Sequence, residues 1–209
     1  NIKNMLDLLP VHPDRFDEEK RNKIFENFSE ITKSTFYLID NLLNWTRSQR
    51  GLIVFDPQIF LVTPVVNDEI GLLKPIFDKK KIIVRNKLDD TTLAYGDVNM
   101  VKTIFRNLIS NAIKFTETYG EIEIFSINEG EMIEFGVRDN GVGINEDNLK
   151  NIIENREVNT TYGTGREKGS GLGLILCRDF IEKNGGVFRV ESKLNEGSTF
   201  YFSLKRFQV

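Results

Sequence analysis

Three groups of residues could do chemistry. Asn107, Asn111 and Lys114 fall at i, i+4 and i+7, so a helix would set two carboxamides and an ammonium in one line. Such a line can hold polyphosphate oxygens and a hydrated divalent cation. Mg²⁺ takes few protein ligands beside its waters, and a neutral amide oxygen can be one of them. Taken alone, the line reads more readily as a solvated polar face. Asp139-Asn140-Gly141-Val142-Gly143 follows an alternating run. A carboxylate at a strand end can accept a bond from an exocyclic amine such as that of adenine. The two glycines let the backbone turn tightly and approach a flat ligand. A plain turn would look the same. Gly169-Ser170-Gly171-Leu172-Gly173 opens a helical run, where glycines expose unpaired N–H groups to an anion and the macrodipole adds favourable potential. It is not a Walker A loop, because no Gly-Lys-Ser/Thr follows at the required spacing.

Elements must hold these groups. Asp97 to Thr116 reads as a helix with Asp97 as N-cap. Val98, Val101, Phe105, Leu108, Ile109 and Ala112 share one face that would bury against a sheet, which leaves the Asn107–Asn111–Lys114 line on the opposite face. Glu121 to Ile127 and Met132 to Val137 alternate and join as a hairpin over Asn128-Glu129-Gly130. Gly171 to Asn184 reads as a helix; Val187 to Ser192 and Ser198 to Leu204 read as a final hairpin over Asn195-Glu196-Gly197. Upstream, Leu52 to Phe55 reads as a short strand, Thr63 to Lys81 as a helix with Val66, Ile70, Leu73 and Phe77 on one face, and Ile82 to Leu88 as a strand. The polar stretch Asn151 to Ser170 is long for a loop and reads as a mobile cover over phosphates, within reach of Arg166 and Lys168. Residues 51–209 are therefore expected to form an α/β sandwich on a mixed sheet.

Residues 1–50 differ. Ile24, Phe28, Ile31, Thr35, Leu38, Leu42 and Trp45 are spaced four, three, four, three, four, three, in a segment without Gly or Pro from Asp17 to Arg50. Phe25, Phe36, Ile39 and Leu43 widen the stripe, which suits a helical bundle. Ile2, Met5 and Leu9 suggest an earlier helix, broken at Pro10-Val11-His12-Pro13-Asp14. The expected fold is α+β: an antiparallel helical hairpin, half of a four-helix bundle dimer, followed by the sandwich. The second copy would cover apolar surface that two helices cannot bury alone.

Composition sets bounds. The 209 residues carry a net charge of −3, which gives no electrostatic case for nucleic acid, and Lys79-Lys80-Lys81 reads as a solvated helix end. A single cysteine, Cys177, excludes an intrachain disulfide, and a single histidine, His12, excludes sites needing two histidines. No run approaches the ~18 apolar residues of a membrane span. The chain begins at Asn1 rather than Met and reads as a fragment, with any sensor or membrane region outside it.

Asn107…Asn111…Lys114-Phe115-Thr116, Asp139-x-Gly-x-Gly, Gly169-x-Gly-Leu-Gly and Gly197-Ser198-Thr199-Phe200, in this order, resemble the catalytic domain of bacterial sensor histidine kinases. That domain has the Bergerat ATP-binding (GHKL) fold, shared with gyrase, the Hsp90 chaperones and MutL. The resemblance covers about residues 52 to 206. The hairpin before it resembles the family's dimerisation and phosphotransfer domain, and Asn41-Leu42-Leu43-Asn44-Trp45-Thr46-Arg47-Ser48-Gln49 resembles its end in a subgroup often found in hybrid kinases of Bacteroidetes type.

The resemblance implies a role for each position. Asn111 would ligate Mg²⁺ bridging the phosphates of ATP. Asn107 and Lys114 would contact phosphates and carry the catalytic positioning. Phe115 would lie against the nucleotide. Asp139 would bind the adenine amino group, with Thr199 near the same edge and Gly141 and Gly143 shaping the pocket. Gly169, Gly171, Leu172 and Gly173 would bound the lid and face the phosphates. ATP-hydrolysing relatives place a Glu where Asn107 stands, and an amide is no base for water. Phosphoryl transfer to a protein group is therefore expected over hydrolysis.

The family's acceptor histidine lies on the first bundle helix, followed by an acid. His12 sits between nearby prolines and does not fit, so the acceptor is expected upstream of Asn1 and the chain is expected not to autophosphorylate. The implied whole is a cytoplasmic kinase core of a membrane-bound sensor. It would bind Mg-ATP, dimerise through the hairpin and relay phosphate to an Asp of a response regulator receiver domain. Two other readings stand beside it: a nucleotide-binding interaction module without catalysis, and a serine kinase or ATPase of the same fold.

Overall fold

Asp97 opens the helix on which the expected site stands. Its carboxylate accepts from the backbone N–H of Asn99 (2.9 Å) and Met100 (3.1 Å), satisfying two donors that have no helical partner. This cap was legible in the sequence, and so was the helix behind it. The computed structural model describes residues 18–154, 163–164 and 171–207, which divide into two units, 1–46 and 47–209.

Helix α1 spans Glu18–Gln49 and crosses that division. It ends as the sequence requires. Gly51, at φ +65°, donates to the Ser48 carbonyl and Leu52 donates to that of Arg47, the paired bonds of a Schellman cap. Within the first unit Ile24 is buried, while Phe25, Phe28, Ile39, Leu42 and Leu43 are exposed. The expected earlier helix, with Ile2, Met5, Leu9 and His12, lies outside the described residues.

The second unit runs β1 (Gln58–Leu61), α2 (Val62–Lys79), β2 (Ile83–Asn86), β3 (Leu93–Gly96), α3 (Val98–Phe115), β4 (Glu121–Glu129), β5 (Met132–Asp139), α4 (Glu146–Ile153), α5 (Leu172–Lys183), β6 (Phe188–Lys193) and β7 (Gly197–Arg206). The strands form one mixed sheet in the order β1-β3-β7-β5-β4-β2, with β6 also on β7. Only β2 and β4 pair in parallel among the described strands. The long strand β7 is the spine: β5 lines one edge, and β6 and β3 share the other.

Alternation decides which side of the sheet is covered. Ile133, Phe135, Val137 and Asp139 of β5 point with Phe200, Phe202 and Leu204 of β7 toward α3, and all are buried. Phe105 of α3 meets Phe135 and Phe202 edge-on, with ring centroids 5.7 and 5.0 Å away. Removing any one of these rings would cost about 3–5 kcal/mol.

Four details differ from expectation. The first strand is Gln58–Leu61, not Leu52–Phe55, whose Leu52 and Val54 are exposed and unladdered. The hairpin turn between β4 and β5 is Gly130-Glu131, one to two residues later than Asn128-Glu129-Gly130. The four-residue strand β3 and the polar helix α4, capped by Asn145 accepting from the Asn148 N–H at 2.8 Å, have no counterpart in the expected elements. The lysine triplet does sit at a helix end, but Lys80 is not merely solvated: its ammonium donates to the Ile113 carbonyl at 2.9 Å.

Candidate functional site

Helix α3 buries more of its circumference than a single apolar stripe. The face expected to bury does so, apart from the half-buried Val98. A second stripe, Met100, Ile104 and Asn107, is buried too. Helix α5 covers it: Asn184 reaches Met100, Cys177 lies against the Ile104 carbonyl, and Gly173 lies against Asn107. The two helices therefore run antiparallel, and the start of α5 comes to the C-terminal half of α3.

This corrects the placement of Asn107, which was expected on an open polar face and is only 3% exposed. Its Nδ2 donates to the Thr103 carbonyl at 2.9 Å. A Cβ at Gly173 would stand 2.5 Å from Asn107 Oδ1, so only glycine lets the first turn of α5 come this close. Asn111 and Lys114, one and two turns further, are half-buried. The Lys114 ammonium lies 4.6 Å from the centroid of the Phe115 ring. Gly171 caps α5 at φ +74° with no side-chain bond, and Gly171, Leu172 and Gly173 are all half-buried.

The end of α3 is tied to the Asp139 turn. Val142 donates to the Phe115 carbonyl at 3.1 Å, and a Cβ at Gly141 would stand 2.2 Å from that oxygen. Gly143, at φ +66°, passes the Lys193 carbonyl so closely that a Cβ would stand 2.0 Å from it. Asp139 is 4% exposed. Its Oδ1 accepts from the Gly141 N–H at 2.9 Å. Burial pushes its carboxyl up to about 6, against the pull of backbone bonds from Gly141 and Ser198. Among the described residues no cation pairs with it. A buried carboxylate held by backbone N–H groups, beside glycines, with an ammonium and an amide on the adjoining helix, is suited to receive an amine at one end and an anion at the other.

Residues 96–208 match the family model described as histidine kinase-, DNA gyrase B- and HSP90-like ATPase. The chain belongs to this family. Sensor protein KdpD of Clostridium acetobutylicum is 27% identical over 205 residues, which cover 98% of this chain and 23% of that relative. The chain thus spans less than a quarter of the length of KdpD. Among solved structures, the Acinetobacter baumannii histidine kinase AdeS superposes with a TM-score of 0.72 at 17% identity, covering 99% of this chain and 94% of its own. Histidine kinase ThkA in complex with the response regulator protein TrrA gives 0.68 at 20% identity, covering 99% of this chain and 59% of its own. These two likenesses show the shared fold, the mixed α+β sandwich expected from the sequence.

In this histidine kinase-like domain the fold brings Gly173 to Asn107 and Gly141 to Phe115, with Asn111 and Lys114 on the same helix as Asn107 and with Asp139 on the helix side of the sheet. Thr199 pairs with Arg138 and Glu191, so its side chain leaves β7 on the face away from Asp139, although the two line one groove. The residue opposite Asp139 is Ser198, whose hydroxyl lies 2.9 Å from that of Ser192. The alternation of β7 could have shown this, because the residue directly after Gly197 shares its face with Phe200 and Phe202. Gly169, Arg166 and Lys168 lie outside the described residues. A wide groove of about 540 Å³ is lined among others by Glu121, Glu123, Arg138, Asp139, Ser198 and Thr199. Of its carboxylates, Glu121 pairs with Arg85 and Glu123 with Lys87 at 2.6 Å, while Asp139 pairs with no cation among the described residues. Among the described residues no helix is long and apolar enough to cross a membrane, and no group of three His, Cys, Asp or Glu could hold a metal ion.

Proposed function

We propose that this domain binds ATP with the adenine amino group on Asp139 and the phosphates between the C-terminal half of α3 and the start of α5, and passes the γ-phosphoryl group to a histidine. The observation that carries this reading is the buried Asp139 carboxylate, unpaired by any cation among the described residues, beside Gly141 and Gly143. Its remaining lone pairs suit an exocyclic amine, which adenine has and guanine lacks at that position.

The chain's own residues would act by positioning and charge. The start of α5 offers N–H groups to phosphate oxygens, and Lys114 offers a cation. Phe115 supplies an apolar face. Mg²⁺ fits a site with Asn111 as one neutral oxygen ligand, the rest coming from phosphates and water; when bound, it neutralises phosphate charge. Asn107 is buried against Gly173 and carries an amide, so it cannot draw a proton from water. That favours transfer to a protein group over hydrolysis, with catalysis resting on alignment of the reacting phosphate.

The acceptor would be a histidine on the bundle helix preceding α1. The exposed Phe25, Phe28, Ile39, Leu42 and Leu43 of α1 support pairing of two copies there. Relay to a receiver-domain aspartate is supported by the ThkA–TrrA complex, and dependence on ATP would put the domain on the cytoplasmic side of a sensor. The test is calorimetric titration with ATP and GTP, each with and without Mg²⁺. Mg²⁺-enhanced binding of ATP with little binding of GTP is expected; no ATP binding overturns the reading and leaves an interaction module. Acid-labile phosphate on a histidine of the full-length protein would then establish the transfer step, and its absence in an ATP-binding protein would refute that step alone.

A further inference from the structure

The last carbonyls of α3 have no partners within the helix, and each is accounted for elsewhere. Ala112 accepts from the Thr116 N–H, and Phe115 accepts from Val142. Ile113 and Lys114 accept from one side chain, the Lys80 ammonium at the end of α2, at 2.9 and 3.2 Å. The same ammonium reaches the Thr116 carbonyl at 3.4 Å and the Thr164 hydroxyl at 2.7 Å. Thr164 comes from the connection between α4 and α5, seven residues before Gly171. Its N–H donates to the Lys114 carbonyl at 3.1 Å, and its hydroxyl lies 3.1 Å from the carbonyls of both Lys114 and Thr116. Lys80 therefore gathers the C-terminal turn of α3 and fastens a second segment to it. A cation is also favoured at that end by the helix macrodipole.

We infer that Lys80 is a positioning residue for the nucleotide site: it holds the turn that presents Lys114 and Phe115, and it clasps Thr164 to that turn. The inference rests on the nucleotide reading above. Lys80 need not touch the ligand. Bonds from its charged head are the stronger kind, and their loss would free the last turn of α3 and Thr164 from each other. A ligand held by that turn would then leave faster.

The experiment is stopped-flow displacement of a fluorescent ATP analogue, in the presence of Mg²⁺, by excess ATP. The variants are Lys80→Met, which keeps the stem without the charge, Lys80→Arg, and Thr164→Val, which keeps the shape without the hydroxyl. Lys80→Met and Thr164→Val should each speed dissociation about tenfold, the factor that corresponds to about 1.4 kcal/mol. Combining them should add little, because both break one clasp. Lys80→Arg should restore much of the slow exit, and Thr164→Val should melt within a few degrees of the parent. Rates within twofold of the parent in folded variants that still bind overturn the clasp, even if stability falls. Should Lys80→Met fail to fold, Thr164→Val alone decides. A parent chain that binds no nucleotide overturns the nucleotide reading and the clasp with it, which separates the two failures.

Discussion

Gly173 lies against Asn107, and a Cβ at position 173 would meet the Asn107 carboxamide oxygen at 2.5 Å. This contact sets how near the start of α5 comes to α3, and so the width of the proposed phosphate site. Gly173→Ala must push the amide aside or lift α5. The amide is buried and bonded to Thr103, so it does not move freely. We expect ATP affinity to fall about tenfold and stability to fall by about 1 kcal/mol, the lower end of overpacking costs. Adding Asn107→Ala should relieve the stability loss but not restore binding. A double-mutant cycle by calorimetry and thermal melting checks this; additive stability changes would show that the two residues do not meet.

Much of this architecture could be read ahead of the structure, and the misses have physical causes. Helix α3 and the hairpins β4–β5 and β6–β7 are long enough for their periods to show, and Asp97 and Gly51 mark ends by their chemistry. Strands β1 and β3 have four residues each, too few for alternation to stand out. Helix α4 carries a single buried residue, Ile152, so no apolar stripe announces it. Within the site, spacing put Asn107, Asn111 and Lys114 in line but could not show that α5 covers Asn107. That Ser198 rather than Thr199 stands opposite Asp139 depends on register, a property of two strands. The bond from Lys80 to Thr164 joins residues 84 apart, which no local pattern encodes.

Asn111 is the one residue proposed for the metal. It is half-buried on α3, one turn beyond Asn107, and it offers a single amide oxygen. Asn111→Ala should remove the enhancement of ATP binding by Mg²⁺ while leaving binding of adenosine unchanged, because the proposed contact for the base is Asp139. Titrations with and without Mg²⁺ check this. An enhancement that survives the substitution assigns the metal elsewhere.

An ion pair between the half-buried Arg106 and the buried Glu69 joins α3 to α2. Arg106 of α3 donates through Nε to Glu69 of α2 at 2.7 Å and through a terminal nitrogen at 3.2 Å, and Glu69 is 1% exposed. Breaking one side of such a pair leaves a charge stranded, at a cost of about 3–5 kcal/mol. Arg106→Ala, which strands the buried Glu69 carboxylate, should lower stability by that amount, read by urea unfolding. Arg106→Met, which keeps the stem, should lose nearly as much, because Glu69 keeps its charge. A loss below 1 kcal/mol would mean the pair is solvated.

Asp139 makes nucleotide binding depend on pH in a direction that can be worked out. Burial raises its carboxyl to about 6 in the ligand-free domain. The proposed amine donor bonds the ionised form, so the bound state must hold its proton less tightly. Binding therefore releases a proton wherever the free carboxyl is protonated. ATP affinity should be level above about pH 7 and fall below about 6, approaching tenfold per pH unit as the protonated form takes over. The same raised value has an opposite effect on the empty fold. Above 6 the domain carries a buried charge that the unfolded chain, titrating near 3.8, keeps in water. Stability from this group thus rises as pH falls from 7 toward 4, even while affinity drops. Asp139→Ala should abolish both dependences and with them most of the binding, the lost charged hydrogen bond being worth roughly 1.5–3 kcal/mol. Calorimetry across pH 5 to 8 on parent and variant checks the pair of trends. An affinity that stays flat through pH 6 would remove Asp139 from the adenine site.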